Sequence, residues 1–268
     1  MDNTLKNKVE DLESFVGKQN KIAVAFSGGV DSTFLLFMAK KVLGEDNIMA
    51  ITGNSFTMPL REIEFCKKKA MEWGIKHLVV KTQEYLDESY VKNGYQRCYF
   101  CKISLFKTIR SYVPNEYGIV VGTNADDAAH SQDRPGMMAE REFDVAAPLK
   151  EILFFKNDIR AASKYFKLDT WDKPQMACLA SRIPFGSVVT EEKIRMVSMA
   201  EDVLREKGFI DVRVRHYGKL AKIEVPAKSV SDILNCGFLS ELIKKIKEIG
   251  FKSVALDLEG MNHSGLNL

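Results

Sequence analysis

Apolar residues recur at helical spacing over residues 4 to 17, at Leu5, Val9, Leu12, Phe15 and Val16, and Gly17 closes the run; this spacing predicts an amphipathic helix. The unbroken apolar run Ile22-Ala23-Val24-Ala25-Phe26 predicts a buried strand, and Phe34 to Lys40 predicts a helix after it. Gly44-Glu45-Asp46-Asn47 breaks the pattern before a second strand, Ile48 to Thr52. A helix from about Pro59 to Trp73, a strand His77 to Val80 and a strand Gly118 to Val121 follow. Strands alternating with helices predict an α/β domain, a doubly wound parallel sheet with right-handed crossovers.

From about Pro184 the pattern changes. Thr190-Glu191-Glu192-Lys193 is a good helix start, and Ile194, Val197, Ala200, Val203 and Leu204 hold helical spacing up to Gly208. Strands are expected over Asp211 to His216 and Leu220 to Val225, around a turn at Tyr217-Gly218-Lys219. A helix from Ser229 to Ile249, interrupted near Cys236-Gly237, and a last strand, Ser253 to Leu258, complete a smaller α+β domain. The expected division is therefore 1–185 and 186–268.

A chain of 268 residues can bury a core in each of two domains, and 46% hydrophobic with 28% charged residues is the composition of a soluble globular protein. A net charge of +3 advertises no polyanion-binding field, so nucleic acid is not favoured as a partner. Met1 to Lys6 lack the features of a signal peptide and no apolar run reaches membrane-spanning length, so the expected location is the cytoplasm with no membrane partner. Five cysteines, Cys66, Cys98, Cys101, Cys178 and Cys236, point to thiol or metal chemistry rather than a disulfide scaffold.

Between the first strand and its helix lies Ser27-Gly28-Gly29-Val30-Asp31-Ser32-Thr33. Two glycines let a phosphate approach the backbone, and the unpaired amides of the helix N-terminus then face the anion. The Gly-Lys-Ser/Thr ending of a Walker A loop is absent. Asp31 beside phosphates calls for a bridging divalent cation, which suggests Mg2+; the plain alternative is a turn in which Asp31 or Ser32 caps a helix. Ligands of such sheets bind outside the carboxyl ends of the strands. Thr52 to Ser55 and Gly122-Thr123-Asn124-Ala125-Asp126-Asp127 lie at two further ends, and Asp126 or Asp127 could add a metal ligand. A polar connector with a helix cap also accounts for the second segment.

Cys98 and Cys101 form a C-x-x-C pair that faces one way on a helix, and Cys178 stands alone in Ala177-Cys178-Leu179-Ala180-Ser181-Arg182. Packing cysteines, a redox pair, zinc completed by His130 and an iron–sulfur cluster on three thiolates all fit that spacing. Cys66 and Cys236 lie on amphipathic helical patterns and read as packing residues. Arg213 and Arg215 share one face of their strand, either a solvated face or an anion-binding pair.

The Ser27 loop resembles the SGGxDS loop of the PP-loop ATP pyrophosphatases, which adenylate a substrate and release pyrophosphate. With Gly122 to Asp127, Arg134-Pro135-Gly136, Ala177 to Arg182 and Val212-Arg213-Val214-Arg215, nearly the whole chain resembles the LarE family of ATP-dependent sulfur transferases. The resemblance implies ATP on Ser27, Gly28, Gly29, Val30, Asp31, Ser32, Thr52, Gly122, Thr123 and Asn124, with Mg2+ at Asp31 and Asp126. It implies that Ser181, Arg182, Arg213 and Arg215 hold a substrate phosphate, with Glu201 a further contributor. The substrate implied is pyridinium-3,5-biscarboxylic acid mononucleotide, whose carboxylates become thiocarboxylates for the nickel-pincer cofactor of lactate racemase. Family members of one kind sacrifice the sulfur of the cysteine matching Cys178. Cys98 and Cys101 set this chain with the other kind, where Cys98, Cys101 and a catalytic Cys178 carry a 4Fe–4S cluster and sulfide comes from an external donor. Ring-like homo-oligomers are a family trait. The rival within the superfamily is tRNA thiolation, which calls for a basic surface or an added RNA-binding domain.

Overall fold

The computed structural model describes residues 1–129, 135–174 and 177–261. Its contacts divide the chain into two compact units, Met1–Tyr90 with Tyr95–Met176, and Val91–Gly94 with Ala177–Leu268. The change of unit after Met176 falls earlier than the expected 185/186 boundary, so Cys178, Ser181 and Arg182 belong to the second unit. Val91–Gly94 joins that unit because buried Asn93, at φ 56°, donates from Nδ2 to the carbonyls of Ile183, Pro184 and Ser187 at 3.2, 2.8 and 3.0 Å. Arg134 and His130 of the sequence reading lie outside the described residues.

In the first unit, α1 (Asn3–Gly17), β1 (Ile22–Ala25) and α2 (Val30–Leu43) are followed by β2 (Ile48–Asn54), α3 (Leu60–Glu72), β3 (Lys76–Lys81), a single turn α4 (Glu88–Val91) and α5 (Arg97–Tyr112). Then come β4 (Gly118–Val121), α6 (Ala125–Ala129), α7 (Gly136–Glu142), α8 (Pro148–Glu151) and α9 (Lys156–Tyr165). The strands form one parallel sheet in the order β3-β2-β1-β4. Side chains alternate across a strand, so Ile22 and Val24 face a core with α1, α2 and α9, while Ala23 faces a second core with α5 and α7. Covered on both faces, these strands are continuous apolar runs rather than alternating ones. Helix α2 is buried through most of its length, which fixes its N-terminus at the carboxyl end of β1.

In the second unit, α10 (Glu191–Glu206) precedes β5 (Arg213–Tyr217), β6 (Leu220–Glu224), α11 (Val230–Leu234), α12 (Leu239–Glu248) and β7 (Ser253–Leu256). The Thr190 side chain caps α10 as expected, accepting from Lys193 N at 3.2 Å. Strands β5 and β6 pair antiparallel around Gly218, at φ 65°, and β7 adds parallel to β6 through the helical crossover. The break anticipated near Cys236-Gly237 separates α11 from α12. The last strand ends at Leu256, short of Leu258, because Asp257 turns the chain by accepting from Glu259 N at 3.1 Å.

Candidate functional site

The Ser27 loop is built from its own backbone and one hydroxyl. Gly28 sits at φ +73°, where a Cβ would also lie 2.9 Å from Phe65 Cδ1. Ser32 is buried; its Oγ donates to Gly29 O at 3.2 Å and accepts from Ser27 N at 3.2 Å and from Ser27 Oγ at 3.1 Å. Ser32 therefore shapes the loop. Gly29 caps α2 with extended backbone and no side-chain bond, so the amides of Val30 and the following turn open toward the loop.

Asp31 stands in that first turn. Lys156, the first residue of α9, ion-pairs its Oδ2, while Oδ1 is buried without a hydrogen-bond partner. Burial pushes the Asp31 carboxyl above its ordinary range, and Lys156 offsets only part of that. Asp126 Oδ2 accepts from Lys156 N at 2.6 Å. Asn124 and Asp127 cap each other's backbone, at 3.2 and 3.1 Å, so the helix-cap reading of this segment describes that pair. Gly122 is pinned to α2: a Cβ there would lie 2.9 Å from Ser32 N and 3.1 Å from the Asp31 carbonyl carbon. Thr52 Oγ1 donates to Phe26 O at 2.7 Å, and His77 Nε2 lies 2.8 Å away. One hydroxyl proton serves one acceptor, so the His77 ring carries its proton on Nε2. Burial lowers the His77 pKa, which keeps the ring neutral.

Sequence reasoning missed four lysines and the glutamate Glu140. Glu140 is 1% exposed and accepts from Lys102 Nζ at 2.5 Å, Lys150 Nζ at 3.1 Å and Thr123 Oγ1 at 2.6 Å. Burial alone would raise its pKa; the two ammonium groups and the hydroxyl outweigh that and hold it below the ordinary value. Lys173 Nζ donates to Gly28 O at 3.0 Å and Glu62 Oε2 at 2.8 Å, and lies 3.8 Å from the Phe65 ring centroid. Lys156 did leave a signal. A lysine opening a helix opposes the helix dipole, so its place has another cause.

All five cysteines are free thiols. Cys98, exposed, and Cys101, half-buried, open α5 one turn apart, and Gly136 at the start of α7 packs on the Cys98 carbonyl. Cys178 is exposed and lies in the second unit. Cys66 is buried under the loop, where burial pushes its thiol up to about 11. Within neither unit, among the described residues, does a group of three or more His, Cys, Asp or Glu gather to hold a metal ion.

In the second unit, Arg182 is 3% exposed and donates from Nε to Glu201 at 2.7 Å and from Nη1 to Ser181 Oγ at 2.9 Å. Arg215 donates from Nε to Glu224 at 2.6 Å and from Nη1 to Ser181 O at 3.3 Å. Arg213, half-buried, enters no ion pair among the described residues. Burial, then the neighbouring Arg182 and Arg215, depress its pKa. This is a built cationic cluster, and two of its three guanidiniums are already held by carboxylates.

The NAD synthase family model matches residues 2–102. An uncharacterised protein of Synechocystis sp. is 38% identical over 98% of both chains. An uncharacterised protein of Methanocaldococcus jannaschii is 30% identical, over 95% of this chain and 94% of its own. Pyridinium-3,5-bisthiocarboxylic acid mononucleotide synthase of Lactiplantibacillus plantarum is 32% identical, over 98% of this chain and 95% of that enzyme. An end-to-end match of that kind, on a parallel sheet whose first strand ends in a glycine loop, identifies the chain as a member of the LarE family of ATP-dependent, adenylating sulfur transferases.

Proposed function

We propose that this chain adenylates the carboxylates of pyridinium-3,5-biscarboxylic acid mononucleotide and exchanges them for thiocarboxylates. The observation that carries this reading is the match over 98% of the chain to the L. plantarum synthase, whose name gives its product. The loop geometry supports the first half of the reaction. Amides at the start of α2 receive the phosphates, and Gly28, Gly29 and Gly122 keep side chains out of the way.

The acidic residues fit Mg2+, since Asp31 Oδ1 is a buried oxygen without a hydrogen-bond partner and the charge of Asp127 reaches Asp31, while Asp126 Oδ2 is held on the Lys156 backbone N–H. When bound, the ion neutralises the triphosphate and polarises the reacting phosphorus. Thr52 supports the strand end facing the adenine, and Thr123 and Asn124 close the other side. Arg213 is the foremost ligand of the substrate phosphate, with Arg182, Arg215 and Ser181 ordered behind it by Glu201 and Glu224.

The donor set Cys98, Cys101 and Cys178 is soft and unoxidised, which suits a 4Fe–4S cluster. Such a cluster, when bound, supplies sulfide from an external donor as a soft nucleophile. The thiols of Cys98 and Cys101 come from one unit and that of Cys178 from the other. Among the described residues no helix is long and apolar enough to cross a membrane, which is compatible with a cytoplasmic enzyme, and a homo-oligomer is what the family resemblance implies.

Pyrophosphate release tests the reading. It should require the mononucleotide and be indifferent to tRNA; release stimulated by tRNA, with sulfur entering the RNA, would overturn it.

A further inference from the structure

Two ammonium groups meet one carboxylate inside the first unit, and their charges do not cancel. Glu140 is 1% exposed; its Oε1 accepts from Lys102 Nζ at 2.5 Å and its Oε2 from Lys150 Nζ at 3.1 Å. The two lysines hold its carboxyl below the ordinary value, so it is ionised at neutral pH. Neither lysine enters another ion pair among the described residues, so the trio carries one uncompensated positive charge. The acids closest to it in sequence are engaged elsewhere: Glu142 accepts from Tyr99 Oη at 2.8 Å and Glu151 from Ala147 N at 3.3 Å. The lysine side chains are 30% and 23% exposed, so an anion can reach them. Each ammonium has three donors and spends one on Glu140, which leaves the others for a ligand. The placement is also specific. A Cβ on Gly136 would lie 3.2 Å from Lys102 Cδ and 3.4 Å from its Cε, so the start of α7 beds the lysine stem. Lys102 follows Cys101 in α5, and Glu140 Oε1 also accepts from Thr123 Oγ1 at 2.6 Å, in the segment that closes on the nucleotide in the proposed reading.

We propose that Lys102 and Lys150, oriented by Glu140, form a subsite for a ring carboxylate of the substrate, separate from the arginine cluster that takes its phosphate. The inference deepens the proposed function and rests on it. Charge selects the ligand: one net positive charge matches one carboxylate rather than a phosphate dianion. Donor geometry agrees, since ammonium groups act as point charges, whereas the forked guanidiniums of Arg182, Arg213 and Arg215 suit a phosphate. A substrate bearing two carboxylates and a phosphate must also approach a triphosphate, and a fixed cation in the first unit offsets that repulsion. Held through Thr123 to the nucleotide segment, the same cation fixes the ring for attack on the nucleotide.

Calorimetric titration with the mononucleotide, in the presence of a non-hydrolysable ATP analogue, tests the subsite apart from turnover. Lys150→Met removes the uncompensated charge but leaves Glu140 its bonds to Lys102 and Thr123, so the variant should fold and bind the analogue as the natural chain does. It should bind the mononucleotide about tenfold more weakly, with affinity for inorganic phosphate unchanged, and Lys150→Arg should recover part of the loss. Unchanged mononucleotide affinity in Lys150→Met, with only a lowered melting temperature, would make the trio a structural strut and overturn the proposal. An equal loss of affinity for inorganic phosphate would assign the trio to the phosphate and overturn the carboxylate subsite. Natural protein that binds the analogue but no mononucleotide would overturn the underlying reading of the substrate, and the proposal with it.

Discussion

Gly122 shows how a single missing Cβ positions chemistry. The atom would meet the backbone of Ser32 and Asp31 at 2.9 and 3.1 Å, contacts that no side-chain rotation relieves. Gly122→Ala should push β4 off the first turn of α2, costing about 1–3 kcal/mol of stability and weakening ATP binding on the order of tenfold or more. Thermal melting and calorimetric titration check both, and unaltered ATP affinity would detach this glycine from the site. The loop glycines and Asp31 were legible in the sequence because their chemistry is local: a strand, a turn and a helix start within a few residues. Ser32 reads in the sequence as a helix cap or an ATP ligand; its hydroxyl turns inward to Gly29 O and the Ser27 backbone. Lys156 and Asp31 are 125 residues apart in the chain, and no spacing rule connects them.

At the scale of elements, Glu140 fastens three pieces of the first unit. Lys102 brings α5, Lys150 brings α8, and Thr123 brings the end of β4 to one carboxylate. A buried charge left without its partners is costly, so Glu140→Gln, which strands two lysines, should lose about 3 kcal/mol at neutral pH. The folded pKa lies below the ordinary carboxylate value. The stabilisation is therefore complete above the unfolded value and lost as pH falls through the lowered folded one. Urea unfolding at neutral and acid pH should show the gap between the natural chain and the variant closing on acidification; a gap independent of pH would contradict the assignment. The sequence pattern placed the four strands and most long helices, since each carries a continuous or periodic apolar signal. It did not reveal that Val91–Gly94 belongs with the second unit, because that membership rests on the Asn93 side chain bonding carbonyls some ninety positions later.

On the proposed reading, one reaction draws on residues of both units. The nucleotide loop, Asp31, Cys98 and Cys101 belong to the first; Cys178 and the Arg182–Arg213–Arg215 cluster belong to the second. The arginine pattern was legible as alternation on β5, but not that Glu201 and Glu224 hold Arg182 and Arg215 while Arg213 enters no ion pair among the described residues. The proposed sulfur chemistry makes Cys178 a cluster ligand that survives each cycle. The decisive measurement combines iron analysis with mass spectrometry of protein and product, after anaerobic incubation with ATP, Mg2+, the mononucleotide and excess sulfide. The account predicts about four irons per chain, more than one thiocarboxylate formed per chain, and Cys178 at its original mass. Iron-free protein that yields a single sulfur per chain and leaves Cys178 without its sulfur would contradict it.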